Sequence, residues 1–343
     1  MKRRTTYRLL LTLGASMMLP LGSPALADDG VEAPDTSAWV CKLCPVSSGW
    51  FGDWELGLLY ADDSTAKFAD YRGIDDDGFY LDINGQARYL DENGYFFDFY
   101  TSNLGLDSRA LEMRGGKQGK YTIYADYSEI PRYQGHGTVT PYSGVGSDTL
   151  VLAEAWNSNA MAPALLASER KTYGAGFRYK FTSAWKMDAS YERQTRDGTR
   201  AFGGGLFALN GAWFPAPVDY STDIFKAGVE YLGRTGQLRL SFTSSEFDNG
   251  YDSVIWDNPY SFGFGNERSR SALEPDNEFY QFSLAGAIRF GKRVRLSGKA
   301  SMGEIEQNQA FLPYTINPAY ADRELPRDSL DGKVETSMYN LSG

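Results

Sequence analysis

The chain of 343 residues has two cysteines and one histidine, and past its N-terminus it has no long apolar run. A transmembrane helix needs about 20 consecutive, mostly apolar residues, so this scarcity argues against helical membrane spans. The sequence also lacks a P-loop, a G-x-S-x-G elbow and an H-E-x-x-H motif. An outer-membrane phospholipase or protease would need a suitably placed histidine, and the chain has only His136. We therefore predict that the protein is not an enzyme.

Residues 1–27 have the layout of a secretory signal peptide. Four basic residues lie within the first eight positions, an apolar stretch follows at 9–21, and Ala25-Leu-Ala27 is a small-residue cleavage site. Without those four residues the chain carries 30 Lys and Arg against 44 Asp and Glu, a net charge near −14. Nucleic-acid binding needs a basic surface, so we expect no nucleic-acid partner.

Past residue 50 the chain alternates between apolar and polar residues in segments of about ten. In 79–89, Phe79, Leu81 and Ile83 fall on one side of an extended chain, and Tyr80 and Asp82 on the other. Membrane strands of a barrel have this length and pattern. The segments with this pattern, clear or weak, are 52–60, 79–89, 95–103, 108–115, 121–127, 173–181, 185–191, 221–231, 237–247, 279–290, 294–302 and 332–341.

The predicted connections support the same fold. Short turns near 91–94, 115–119, 182–184, 232–236 and 291–292 alternate with long loops at 61–78, 129–171, 196–219, 248–277 and 303–331, with one short link near 105–107 as the exception. Outer-membrane barrels have short periplasmic turns and long outer loops. We therefore predict an all-β fold, a transmembrane antiparallel β-barrel over 51–343 in the bacterial outer membrane. A soluble secreted β-protein is the more distant alternative.

Charges of both signs occupy the predicted interior face of these strands. Such a face could line a water-filled pore or form a polar socket for another protein, and the residues alone leave both open. The interior-face charges are Asp82, Arg88, Glu112, Arg114, Arg178, Lys180, Lys186, Asp188, Arg295 and Lys299.

Cys41 and Cys44 lie in a short lead, residues 28–50, between the signal peptide and the first strand. Covalent haem attachment needs C-x-x-C-H, and position 45 is proline. A zinc site normally needs four ligands, which two cysteines and one distant histidine do not supply. The pair could be a structural disulfide, two thiols without a role, or a redox or partner-contacting pair at the periplasmic mouth.

Two further features are weaker candidates for a site. His136 lies in a predicted outer loop, and we expect it to be a solvent-exposed loop residue without a catalytic partner. The run Asp75-Asp-Asp77 offers oxygen ligands for a hard cation, but it lacks the spacing of an EF-hand loop. We expect a solvated acidic loop there, and no metal site.

The N-terminal segment Ser37-Ala-Trp-Val-Cys-Lys-Leu-Cys44, directly after a signal peptide, resembles the start of the MtrB/PioB family of decahaem-associated outer-membrane proteins. Other segments resemble that family in the same order and extend over most of the mature chain. They are Gly116–Tyr121, Pro141–Gly146, Thr149–Leu152 with Trp156, Pro217–Asp223, Ala227–Val229 and Ala272–Asn277.

The resemblance implies a porin-like sheath around a periplasmic multihaem c-type cytochrome, with electrons crossing the outer membrane during extracellular metal reduction or iron oxidation. Family members often also dock a cell-surface multihaem cytochrome. The haem belongs to the cytochrome, so we expect this chain to bind no cofactor itself. Family barrels have more than about twenty strands, within the known size range. The chain has about twelve, so we expect the N-terminal part of a larger barrel. The rival function is a general or substrate-specific porin.

Overall fold

A computed structural model describes residues 48–62, 69–135, 137–152, 161–207, 210–260, 267–320 and 323–343. The predicted signal peptide, the cysteine pair and His136 lie outside these ranges. Within them almost all regular structure is β-strand, with one turn of 3-10 helix at Pro318–Tyr320. No helix in these ranges has the length and apolar character that a membrane span requires.

Twelve strands form one sheet in which all neighbours are antiparallel. Their order in the sheet follows their order in the chain, and all twelve predicted strands are present. They are β1 Gly49–Ala61, β2 Gly78–Leu90, β3 Tyr95–Ser102, β4 Ala110–Lys117, β5 Tyr121–Gly135, β10 Leu166–Lys180, β11 Trp185–Phe207, β12 Asn210–Leu232, β13 Gly236–Asn249, β16 Asn277–Phe290, β17 Val294–Gln307 and β18 Gly332–Ser342. The sheet is not closed, because β1 and β18 are its two ends.

The alternation in the sequence gives this sheet an apolar face and a polar face. Leu56, Leu58 and Phe79 are strongly exposed on the apolar face, since the sheet has no second layer against them. Aromatic pairs cross neighbouring strands of that face in two bands. Trp50–Tyr89 and Trp185–Tyr231 lie near the short turns, with ring centroids 5.1 and 5.0 Å apart. Tyr60–Phe79 and Tyr127–Tyr173, each 4.9 Å apart, lie towards the other edge.

The two edges of the sheet differ as the sequence predicts. Along the turn edge, the links 91–94, 118–120, 181–184, 233–235 and 291–293 have three or four residues each. Along the loop edge, the links have seven residues, as at 103–109, or more, apart from the hairpin between β11 and β12. The prediction of a long loop at 196–219 was therefore wrong. Both strands continue through that segment, and only residues 208–209 separate them. Strands also extend into the ends of the loop predicted at 129–171.

Short strands in two loops build a small layer at the loop edge, which we call the cap. The first loop contributes β6 Val139–Thr140, β7 Tyr142–Ser143, β8 Thr149–Leu152 and β9 Ala162–Pro163, and the second contributes β14 Ser253–Asp257 and β15 Arg268–Ala272. A four-stranded sheet runs in the order β15-β14-β8-β7, and β6 pairs with β9. The β14–β8 pair is parallel and joins the two loops.

The cap packs on the polar side of the sheet. Phe202 of β11 faces Phe214 of β12, and in β11 Phe202 has the same strand parity as Glu192 and Arg196 of the polar face. Phe214 is 1% exposed and stacks on Trp256 of the cap, with ring centroids 4.7 Å apart. The buried core of the cap consists of Tyr142, Leu150, Leu206, Phe214, Val254, Trp256 and Leu273. The loops therefore fold inward over the end of the polar face.

Candidate functional site

The ten interior-face charges predicted from the sequence all lie on one face of the sheet. Arg88 is directly opposite Asp98, and Asp98 is opposite Arg114, so the three side chains project to the same side. Arg178 is likewise opposite Asp188. The same alternation assigns the other members of the set to this polar face. The prediction that these residues share one face of the sheet is confirmed.

One ion-pair network lies on β2, β3 and β4. The Nε of Arg88 donates to one oxygen of Asp98 at 2.6 Å, and the Nε of Arg114 donates to the other oxygen at 2.8 Å. Beside it the Gln86 amide donates to Asp53 at 2.8 Å. One carboxylate thus holds two guanidinium groups flat along the wall, and a cavity of about 410 Å³ lies over them.

A second network joins β11, β12 and β13. Arg239 donates through its two terminal nitrogens to the two oxygens of Asp188, both at 3.0 Å, and also to Glu230 at 3.2 Å. Lys186 lies 3.0 Å from Glu230. Lys186 and Asp188 are among the charges predicted from the sequence, whereas Arg239, Glu230 and Asp98 are not. The sequence contains a signal for these three residues, because each lies between two apolar residues within the weaker strand segments 95–103, 221–231 and 237–247. That alternation assigns them to the polar face.

Further along the sheet, small side chains lie between the remaining charges of the polar face. On β16 and β17, Ser283 lies opposite Ser301, and Ala287 lies opposite Ser297. The polar face is therefore uneven, with two ion-pair networks on β2 to β4 and on β11 to β13, and smaller side chains on β16 and β17.

A carboxylate ties the cap to the polar face. Glu274 accepts hydrogen bonds from Nη2 of Arg200, at 2.6 and 2.8 Å to its two oxygens, and from the Tyr220 hydroxyl at 2.9 Å. Burial opposes ionisation of this carboxyl, but the hydrogen bonds from its own backbone, Tyr220 and Arg200 outweigh that effect. They hold the pKa of Glu274 below its usual value. The carboxylate is charged at neutral pH, and it joins the segment before β16 to β11 and β12.

The remaining sequence candidates do not join this wall. Asp76 and Asp77 are exposed, and the backbone of Asp76 exchanges hydrogen bonds with the Tyr80 hydroxyl at 2.8 and 3.0 Å. In the part of the chain that the structure describes, no cluster of three or more His, Cys, Asp or Glu side chains is arranged to hold a metal ion. Cys41, Cys44 and His136 lie outside that part.

A wide antiparallel sheet with one apolar face, two aromatic bands and one charged face is the wall of an outer-membrane β-barrel, whose apolar band faces lipid and whose interior is polar. The fold thus defines a class of protein. More particularly, the chain belongs to the MtrB/PioB family, because residues 60–343 match the family model described as "Putative outer membrane beta-barrel porin, MtrB/PioB". This family comprises porin-like proteins and is not a family of enzymes.

The chain is also similar to outer membrane protein MtrB of Shewanella baltica (strain OS185), with 32% identity over 328 residues. The match covers 92% of this chain and 46% of the relative, so the chain spans about half the length of the curated protein that it matches. Together the family and this relative place the protein in the bacterial outer membrane.

Two solved outer-membrane proteins have more distant similarity. In vitro folded OmpT of Vibrio cholerae has 9% identity and a TM-score of 0.33, covering 84% of this chain and 76% of its own. The ferric-catecholate import receptor Fiu of E. coli K12 has 10% identity and a TM-score of 0.38, covering 85% of this chain and 46% of its own. These scores are too low to support any statement about this protein.

Proposed function

We propose that the protein is part of a porin-like sheath that holds a periplasmic multihaem c-type cytochrome and supports electron transfer across the outer membrane. The observation that carries this proposal is the polar wall of an MtrB/PioB-family sheet, on which charges are paired across strands in two networks, Arg88–Asp98–Arg114 and Lys186–Glu230–Arg239–Asp188. Charges paired in this way stay fixed when a protein surface replaces water, so the two networks can contact a folded cargo without leaving their own charges buried and unpaired.

The chemistry of transfer would belong to the cargo. Haems hop electrons when they lie close together and are shielded from lipid and bulk water, and the sheath supplies that shielding and the register. This chain then binds no haem of its own. In the same proposal a cell-surface multihaem cytochrome docks at the loop edge, and electrons pass outward in extracellular metal reduction or inward in iron oxidation.

Cys41 and Cys44 have a place in this proposal as a contact at the periplasmic mouth, where the cytochrome enters. In an outer-membrane barrel the edge with the short turns faces the periplasm. Strand β1 begins at that edge with Gly49, so the segment before it would lie on the periplasmic side. We expect that replacing both cysteines by alanine reduces the amount of cytochrome that assembles with the barrel. Unchanged assembly and electron flux in that variant would remove the cysteines from the proposal.

The test is purification of the full-length protein from outer membranes in mild detergent, followed by haem staining and mass spectrometry. We expect a multihaem cytochrome in stoichiometric amount. Electron transfer is then measured in vesicles that enclose a reduced dye, with an electron acceptor outside. Dye oxidation should need both the barrel and the cytochrome.

The rival function, an open porin, has one observation in its favour: a face with charges of both signs also suits a water-filled channel. The same preparation separates the two. A haem-free barrel that conducts ions in a planar bilayer would overturn the sheath and establish the porin.

A further inference from the structure

Four arginines project from the polar face just below the cap, on three neighbouring strands. They are Arg132 of β5, Arg170 of β10, and Arg196 and Arg200 of β11. Arg170 and Arg196 are directly opposite each other in the ladder, and Arg132 is opposite Ser168, two residues from Arg170. Like charges in directly opposed positions destabilise an antiparallel pair. The folded chain therefore keeps this cluster together at a cost.

The nearby carboxylates do not neutralise the cluster. Glu129 and Glu169 alternate onto the other face, where they pair with Arg109 and Lys171. Glu274 pairs with Arg200. The guanidinium of Arg196 donates only to the neutral Ser168 hydroxyl, at 3.2 and 3.3 Å. Within the described ranges, Arg132 and Arg170 form no ion pair with a carboxylate, so three positive charges of the cluster remain without a counter-charge.

The environment of Arg196 supports this reading. On the apolar face of β11, Tyr191 is exposed and the next residue on that face is the charged Arg193, where the apolar band ends. Arg196 is three residues further along the strand and therefore lies beyond its membrane-spanning part. Burial first, and then the positive charges of Arg170 and Arg132, lower the pKa of the Arg196 guanidinium. The group stays charged at neutral pH because arginine ionises so strongly. An anion beside it would relieve both effects.

We propose that Arg132, Arg170 and Arg196 form a binding site for carboxylate side chains on the surface of the protein held inside the barrel. This rests on the proposed function and makes it more specific, since it assigns an acidic patch of the cargo to one place on the wall. Guanidinium groups match carboxylates through paired N–H donors. The site opens on the polar face, so lipid head groups do not reach it, and the cap lies above it.

The test uses the native complex with the cytochrome, immobilised through the barrel. The double variant Arg132→Gln/Arg170→Gln is compared with Lys292→Gln/Arg293→Gln, which removes two exposed positive charges from the turn between β16 and β17, away from the polar face. Arg132→Gln/Arg170→Gln should weaken cytochrome binding about tenfold and release it at a lower salt concentration. The control should bind like the natural protein. Equal release from all three proteins, or equal loss in both variants, would overturn the site.

A second arm keeps this test separate from the proposed function. The barrel is purified without cytochrome, and binding of a fluorescent peptide of ten glutamates is measured in detergent. The natural barrel should bind the peptide and Arg132→Gln/Arg170→Gln should not, with unchanged heat-modifiable gel migration as evidence of folding. If no cytochrome copurifies with the natural protein, the proposed function fails. If the natural barrel does not bind the acidic peptide, the arginine site fails independently.

Discussion

Glu274 and Arg200 are joined by one guanidinium nitrogen that contacts both carboxylate oxygens, at 2.6 and 2.8 Å. The two residues are 74 positions apart, and their contact fastens the inward-folded loops to the polar end of β11. On β11, Arg200 lies between Arg196 of the arginine cluster and Phe202, which packs against the cap, so the Arg200–Glu274 pair is at the border of a charged and an apolar layer. The attachment of the cap can therefore be changed without altering the membrane-facing surface.

The attachment of the cap should depend on pH through Glu274. Its pKa in the folded protein is depressed, so its contribution is fully present above the ordinary glutamate pKa of about 4.3 and is lost as pH falls through the lower folded value. The contribution is small, about 0.5 kcal/mol, because the pair is partly exposed. Pepsin cleavage of residues 250–276 should accelerate over that acidic range. Glu274→Gln should cleave faster at pH 5 and lose this dependence, and an unchanged pH profile in the variant would contradict the assignment.

The packing of the cap depends on Phe214, which lies between Trp256 and Tyr142 with ring centroids 4.7 and 5.4 Å away. Phe214→Ala should destabilise the cap by about 3–5 kcal/mol, through lost burial and a residual cavity. Limited proteolysis at neutral pH reports the opening of the cap, and gel migration reports the barrel. Trp213→Ala is the matched control, because the neighbouring Trp213 is 77% exposed. Similar protease sensitivity of both variants would show that Phe214 does not hold the cap.

The polar wall has its own test at Asp98. Asp98→Asn leaves Arg88 and Arg114 facing each other without the charge between them, and we expect a loss of about 1–3 kcal/mol. Urea unfolding of the protein in lipid vesicles gives the value. Asp53→Asn is the control, because the partner of Asp53 is the neutral amide of Gln86 and the change should be within about 0.5 kcal/mol. Equal urea midpoints for Asp98→Asn and Asp53→Asn would show that the Asp98 carboxylate does not stabilise the protein by bridging Arg88 and Arg114.

On the lipid-facing side, the ring of Trp54 lies over Gly85. A Cβ at residue 85 would come within 2.4 Å of ring atoms of Trp54, so the indole would have to move away from Phe99, whose ring centroid is 6.0 Å away. Gly85→Ala should lower the unfolding free energy by about 1–3 kcal/mol in the same urea assay. Gly57→Ala introduces only ordinary contacts at 3.5 Å and serves as the control. A larger loss at residue 57 than at residue 85 would refute this packing.

The alternation of apolar and polar residues was enough to predict the twelve main strands, because one face of each strand contacts lipid and the other does not. It failed at 196–219, where a different environment applies. Residues 214–218 are buried in succession beneath the cap, so no polar residue alternates there, and Pro215 and Pro217 suggest a loop. The cap itself brings together segments more than 100 residues apart, such as Thr149 and Ile255. No local pattern encodes such a pairing.

Likewise the charged wall was predictable as a set but not as pairs. The alternation of side chains along a strand assigns Arg88 and Asp188 to the polar face. Which residues then form ion pairs depends on the register between strands, and Asp188 accepts its hydrogen bonds from Arg239 and not from Arg178. The arginine cluster has the same origin. Arg132, Arg170 and Arg196 are separated by 26 or more positions and become neighbours only through the pairing of β5, β10 and β11.

The cap has a consequence for biogenesis. Its aromatic and aliphatic core is covered by the chain itself, so water favours its assembly, whereas the apolar face of the sheet gains cover only from lipid. Water therefore favours formation of the cap together with the ends of β11 and β12 that complete its core, before the apolar face of the sheet is covered by lipid. A compact cap would also have to cross the bilayer at the head of the inserting sheet, so the rate of membrane insertion should be set by the most stable part of the loops.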